Sequence, residues 1–175
     1  MHLYKKFGST YKEILNDKVK IYKKLNINSK SDKFLTTPFS LSLAIKKFSL
    51  LFKKEKPHLV ILPSDRYEIL ASALACNYLN IPVIHFYGGE TSLGSLDEIH
   101  RNCISNIAKY HFVSHESCKK KLIKMLNLNE KKIFNVGSID LDKIKNIKFF
   151  SKKDLEKKIK IDLSYKTILF TYHSI

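Results

Sequence analysis

The residues best able to do chemistry lie between Ile81 and Arg101, in the stretch IPVIHFYGGETSLGSLDEIHR. Asp97 and Glu98 open a helical pattern, and Arg101 follows one turn on. Carboxylates and a guanidinium so spaced can move a proton, orient a charged group or meet phosphate. Gly88 and Gly89, lacking a Cβ, tolerate positive φ and let a backbone close on a bound group. A helix starting just after them aims free N–H groups and its positive dipole end at the same place, which suits phosphate. Asp97 and Arg101 are four residues apart and share a helix face, so the chemistry is assigned to that pair. Glu98 carries two readings of comparable weight, a site carboxylate or the partner of Ser95 in a capping box, Ser95-x-x-Glu98.

These side chains need a framework, and the hydrophobic pattern supplies one. Leu59–Leu62 is a short continuous apolar run of the kind found in buried parallel strands, and Val83–Phe86, Tyr110–Val113 and Ile133–Val136 read as the next three strands. Between them lie helical patterns at about Arg66–Tyr78, Leu96–Ala108 and Glu116–Leu126. The units are βαβ, and right-handed crossovers put every strand-to-helix loop on one edge of a parallel sheet. That edge gathers Asp65, Glu68, Glu90, Asp97, Glu98, Arg101, Ser114 and Gly137-Ser138. Asp65-x-x-Glu68 also fits a capping pair. Upstream, helical spacing marks Thr10–Asn16 and Pro38–Lys54, the second ended by Lys56-Pro57. After Asp142 a lysine-rich linker and helix lead to a strand at Thr167–Thr171 and then to His173.

The chain has 175 residues, 44% of them hydrophobic, enough for a core and too apolar for a disordered chain. Its formal charge of +16 is spread along helical surfaces as lysine rather than clustered with arginine and aromatics, which argues against a nucleic-acid partner. Lys119-Lys120-Lys121 and Lys152-Lys153 read as solvated helix faces. Three cysteines without short paired spacing suggest neither a disulfide framework nor a zinc site and fit a reducing cytoplasm. No run is long and apolar enough to span a membrane, and the N-terminus is not a signal peptide, so a soluble protein is expected.

Several segments resemble, in order, the hydrolysing UDP-N-acetylglucosamine 2-epimerases of sialic and legionaminic acid synthesis. They are Met1-His2-Leu3 with Phe7-Gly8-Ser9-Thr10-Tyr11-Lys12-Glu13-Ile14, Ser64-Asp65-Arg66-Tyr67-Glu68, His85-Phe86-Tyr87-Gly88-Gly89-Glu90-Thr91, Gly94 to Arg101, His111-Phe112-Val113-Ser114 and Asn135-Val136-Gly137-Ser138. The resemblance implies an α/β protein, a Rossmann-like parallel sheet that is part of a glycosyltransferase-B-type fold. Residues 1–142 would be the N-terminal domain without its first strand and loop. Residues 143–175 would be the linker, helix and first strand of a truncated C-terminal domain. Ser64 stands where the family usually has glycine, Tyr87 where the hydrolysing group has histidine, and Ser174 where proline or arginine follows the histidine.

By that resemblance the reaction is elimination of UDP to a 2-acetamidoglucal followed by water addition, giving a ManNAc-type sugar. It implies Asp65, Asp97, Glu98, Arg101 and His173 as catalytic residues. His85, Tyr87, Gly88, Gly89, Glu90, Gly137 and Ser138 would bind substrate. No cofactor and no metal are implied, and the partners are a UDP-sugar substrate and either a second copy or a separate C-terminal half. By the same resemblance, the truncation and the departures would make this an incomplete or inactive fragment of such an enzyme. A non-hydrolysing epimerase fits less well, because Gly88-Gly89-Glu90-Thr91 departs from its loop. The reading from another class is a half-cleft binding module that pairs with a separate second half.

Overall fold

The computed structural model describes residues 2–5, 8–28, 36–127, 129–145 and 147–172. Its centre is a parallel sheet of β1 (Val60–Pro63), β2 (Val83–Phe86), β3 (Tyr110–Val113) and β4 (Ile133–Asn135) in the order β1-β2-β3-β4. The helices are α1 (Tyr11–Asn16), α2 (Thr36–Glu55), α3 (Tyr67–Tyr78), α4 (Leu96–Ile107), α5 (Glu116–Leu126), α6 (Asp140–Lys145) and α7 (Lys152–Ile159). Spatial order equals chain order, so each right-handed crossover steps the same way and α3, α4 and α5 share one face.

Register makes the two faces explicit. Leu62 pairs with His85, His85 with His111, and His111 with Ile133, so these side chains point to the helical side. There Leu62, Val83 and Ile104 pack with Ala73 and Cys76 of α3, and Val113 and Ile133 pack with Cys118 and Leu122 of α5. Ala71, Ala73 and Ala75 are buried in α3, and their small side chains let α2 close on that helix with Ser40 and Ala44. Pro38 sits in the first turn of α2, where its missing N–H costs nothing.

The opposite face carries Ile61, Ile84, Phe86, Phe112 and Phe134. Ile61 is 57% exposed, although a continuous apolar strand is expected to be covered on both sides. Phe112 lies edge-on to Phe86 at 4.9 Å and to Phe134 at 5.3 Å, an aromatic row that partly shields itself. The expected strand at Thr167–Thr171 is not formed. These residues are neither helix nor strand, and Ile168 and Leu169 are each 91% exposed, since no strand among the described residues offers a ladder for them to join.

Candidate functional site

The site is built where the strands end. Past β1 the chain turns at Ser64, whose φ of +73° places a residue with a Cβ in the left-handed region at a cost of roughly 1 kcal/mol. That turn presents Asp65, with Ser64 Oγ donating to Asp65 Oδ1 at 2.9 Å. Asp65 does not cap α3, whose N-cap is Arg66 with no side-chain cap, and Glu68 instead pairs with Arg66 at 3.2 Å.

Past β2 the chain turns at Tyr87 and Gly89, both with positive φ, and delivers Glu90. Both glycines are needed for protein packing. A Cβ on Gly89 would stand 2.5 Å from the Cys118 carbonyl oxygen, and one on Gly88 would stand 2.9 Å from Ser105 Oγ and 3.1 Å from His85 Nδ1. Only glycine lets the loop lie against α4 and α5.

Arg101 gathers these ends. It is 3% exposed, and its guanidinium donates to Asp65 Oδ2, to Glu98 Oε2 at 2.8 Å, to the Glu90 carbonyl at 3.0 Å and to Ser92 Oγ at 3.0 Å. Lys121, from α5, closes the far side, donating to Glu98 Oε1 at 2.9 Å, the Glu90 carbonyl at 3.0 Å and Thr91 Oγ1 at 2.9 Å. Ser114, just past β3, donates to Glu90 Oε1 at 2.7 Å. Three loops and two helices therefore meet around two cations and three carboxylates. Lys121 belongs to a run expected to be a solvated face, and only its long-range contacts set it apart from Lys119 and Lys120.

The carboxylate that shares Arg101's cluster is Glu98, not Asp97. Asp97 is 48% exposed and lies 3.6 Å from His100 Nδ1. The capping box is also broken up: Ser95 Oγ accepts from the Asp97 N–H, while Glu98 Oε2 accepts from the Ser92 N–H at 2.7 Å. The Lys121 hydrogen bond, above all, holds Glu98 below the usual carboxylate range, against the opposing effect of burial and with help from Ser92 and Arg101.

His85 is buried under the cluster rather than within it. Its Nε2 meets the Ser64 carbonyl and its Nδ1 meets Ser105 Oγ, each at 3.0 Å, which ties the β1 turn to α4. Burial pushes its pKa down to about 4, so the ring is neutral. His111 is its register neighbour on β3, buried with neither ring nitrogen hydrogen-bonded among the described residues, and is pushed down to about 4 by the same cause. Gly137 and Ser138 follow β4 at the same sheet edge, with Gly137 at φ +79°. Tyr87 is half-buried, its ring edge-on to Phe86 at 6.5 Å. His173 lies outside the described residues. Among the described residues no group of three or more His, Cys, Asp or Glu side chains is placed to hold a metal ion.

The family model for UDP-N-acetylglucosamine 2-epimerase matches residues 1–174. The chain is 43% identical over 174 residues to a Campylobacter jejuni GDP/UDP-N,N'-diacetylbacillosamine 2-epimerase (hydrolyzing), covering 99% of this chain and 45% of that protein. It is 35% identical over 175 residues to a Legionella pneumophila UDP-N,N'-diacetylbacillosamine 2-epimerase (hydrolyzing), covering 100% of this chain and 46% of that protein. Among solved structures, a UDP-N-acetylglucosamine 2-epimerase superposes with a TM-score of 0.73 at 25% identity, covering 83% of this chain and 42% of that one. The Methanocaldococcus jannaschii UDP-GlcNAc 2-epimerase in complex with UDP-GlcNAc and UDP superposes with a TM-score of 0.68 at 27% identity, covering 82% and 38%. The chain thus spans a little under half the length of the relatives it matches.

Proposed function

The chain belongs to the UDP-N-acetylglucosamine 2-epimerase family, and from that premise we propose that it supplies the carboxylate side of a hydrolysing sugar-nucleotide 2-epimerase. The substrate is a UDP-linked 2-acetamido sugar, and the products are UDP and the free 2-epimer. Such a reaction removes a weakly acidic proton from C2, expels the nucleoside diphosphate and adds water. It needs an ionised carboxylate at the sugar and fixed charges around it.

One observation carries this reading: a guanidinium 3% exposed joins Asp65, Glu98 and the Glu90 loop, groups brought from two strand ends and a helix. Glu98 has both oxygens occupied by Lys121, Arg101 and the Ser92 N–H, so it orients the cations rather than moving a proton. Glu90 has one oxygen held by Ser114, and Oε2 has no partner among the described residues, which suits a base. Asp65 accepts one hydrogen bond at each oxygen, from Ser64 and from Arg101, against the three that Glu98 accepts, so it keeps a lone pair for a proton and serves as the second acid–base group. Arg101 itself is directed at carboxylates and backbone, so its part is to orient rather than to receive the diphosphate.

The open sheet face bearing Ile61 and Phe134 favours a second reading, a half-cleft that binds the sugar nucleotide and works only against another polypeptide. Incubating the folded chain with UDP-N-acetylglucosamine and with UDP-N,N'-diacetylbacillosamine in D2O separates the two. The first reading expects UDP release and deuterium at C2 of the free sugar by NMR. Binding without either product would overturn it in favour of the second.

A further inference from the structure

An apolar stripe runs along the outside of α4. The exposed side chains of that helix are Leu96, Ile99, Cys103 and Asn106, which recur at i, i+3, i+7 and i+10, the a and d positions of a coiled-coil seam. Arg101, Ile104 and Ser105 leave the same helix on the opposite side and are buried, so the seam points straight away from the protein. Leu96 is 69% exposed and Ile99 60%. A helix in this layer ordinarily turns charge to water, as α5 does with Lys120 and Lys124. Scattered exposed apolar residues are ordinary, but a row aligned along one helix face marks a contact surface.

Charge and spacing say what covers it. The chain carries a net charge of +16, so two copies repel wherever their lysines meet. Among the described helices only α3 and the adjoining α4 contain no lysine, which makes this the side on which two copies can approach. The steps along the seam, 3, 4 and 3 residues, read the same in both directions. A second α4, antiparallel and related by a twofold axis at the level of Arg101, therefore sets Ile99 against Cys103 of the second copy and Leu96 against its Asn106. A bulky side chain meets a smaller one at each contact, and the symmetry makes every contact twice. We infer that α4 is a self-association surface through which two copies of the chain pair in this antiparallel register. Arg101 points away from the seam, so the carboxylate cluster of each copy stays outside the contact. With so few side chains from each copy the contact is small, and the dimer is reversible.

The test is sedimentation velocity of the whole chain across a concentration series. A monomer–dimer equilibrium is expected. Ile99→Lys raises its dissociation constant by about 100-fold or more, because it places two unpaired ammonium groups in the contact. Ile61→Lys, the same change on the open sheet face, leaves the constant within about threefold. Both positions are more than half exposed, so both variants fold, as circular dichroism checks. The register is read by oxidation with oxidised glutathione on a non-reducing gel. Ile99→Cys gives a covalent dimer through Cys103 of the second copy, whereas Asn106→Cys, which faces Leu96, gives none. A chain that stays monomeric throughout the series would overturn the inference, as would a dimer that survives Ile99→Lys. Cross-linking of Asn106→Cys in place of Ile99→Cys would overturn the antiparallel register.

Discussion

On the face of the sheet turned to α3, α4 and α5, Leu62, Val83, His85, His111 and Val113 are buried, whereas on the other face Ile61 and Phe134 stand exposed beside the half-buried Phe86 and Phe112. The carboxylate cluster depends on the first face alone. Arg101 comes from α4, Lys121 from α5, and the Glu90 loop lies on α5 through Gly89. Site geometry is therefore set by one helical layer, and the open face contributes no side chain to the cluster of Asp65, Glu90 and Glu98 among the described residues.

The largest expected effect that tests this contrast is acid unfolding. His85 and His111 adjoin across β2 and β3, and burial lowers both to about 4 from 6.5. Between those values the unfolded chain binds more protons than the folded one. Stability is thus full above about pH 6.5, declines as pH falls through the window and is lost toward pH 4, by on the order of 5 kcal/mol for the pair. Urea midpoints from pH 7.5 to 4.5 measure it, and His111→Leu flattens the slope. An unchanged slope would mean that His111 titrates as it does in the unfolded chain.

Next come two substitutions on opposite faces. Gly89→Ala pushes a Cβ to within 2.5 Å of the Cys118 carbonyl oxygen and forces alanine to φ +81°. It costs about 3 kcal/mol. Phe134→Ala, on the open face, costs about 1 kcal/mol, because the ring already meets water. Thermal unfolding of both ranks them, and the reverse order would show that the open face carries the stability.

A smaller effect separates Lys121 from its lysine neighbours. Lys121→Met raises the Glu98 titration midpoint, read by carboxyl carbon NMR, and Lys121→Arg restores it, with stability changed by less than about 1 kcal/mol. Lys120→Met leaves Glu98 where it is. Equal responses to the two methionine substitutions would return Lys121 to the solvated face.

Local pattern carried much of the fold. The strands at Val83–Phe86 and Tyr110–Val113 and the helix at Glu116–Leu126 have the bounds that apolar runs and turn residues predict. Thr167–Thr171 has the same apolar pattern, but strand formation needs a ladder partner that no local pattern contains. The site was legible at the level of loops and not of pairs. Spacing lets Arg101 meet either Asp97 or Glu98, and the choice of Glu98 is made by Lys121 and the Ser92 N–H, groups reached only through the tertiary fold. The Arg101 contact with Asp65 spans 36 residues and left no local trace. The paired glycines were visible, but their reasons, the Ser105 and His85 side chains against Gly88 and the α5 backbone at Cys118 against Gly89, were not.

The central claim is that Arg101 assembles Asp65, Glu90 and Glu98 into the working site and leaves Asp97 outside. The most direct test compares C2 deuterium incorporation from D2O into the epimerised sugar for the unsubstituted chain, Asp65→Asn and Asp97→Asn. The geometry predicts a loss of about 100-fold or more for Asp65→Asn and a rate within about threefold of the unsubstituted chain for Asp97→Asn, since the half-exposed Asp97 carboxylate pairs with His100, outside the Arg101 cluster. An equal or larger loss for Asp97→Asn would contradict it.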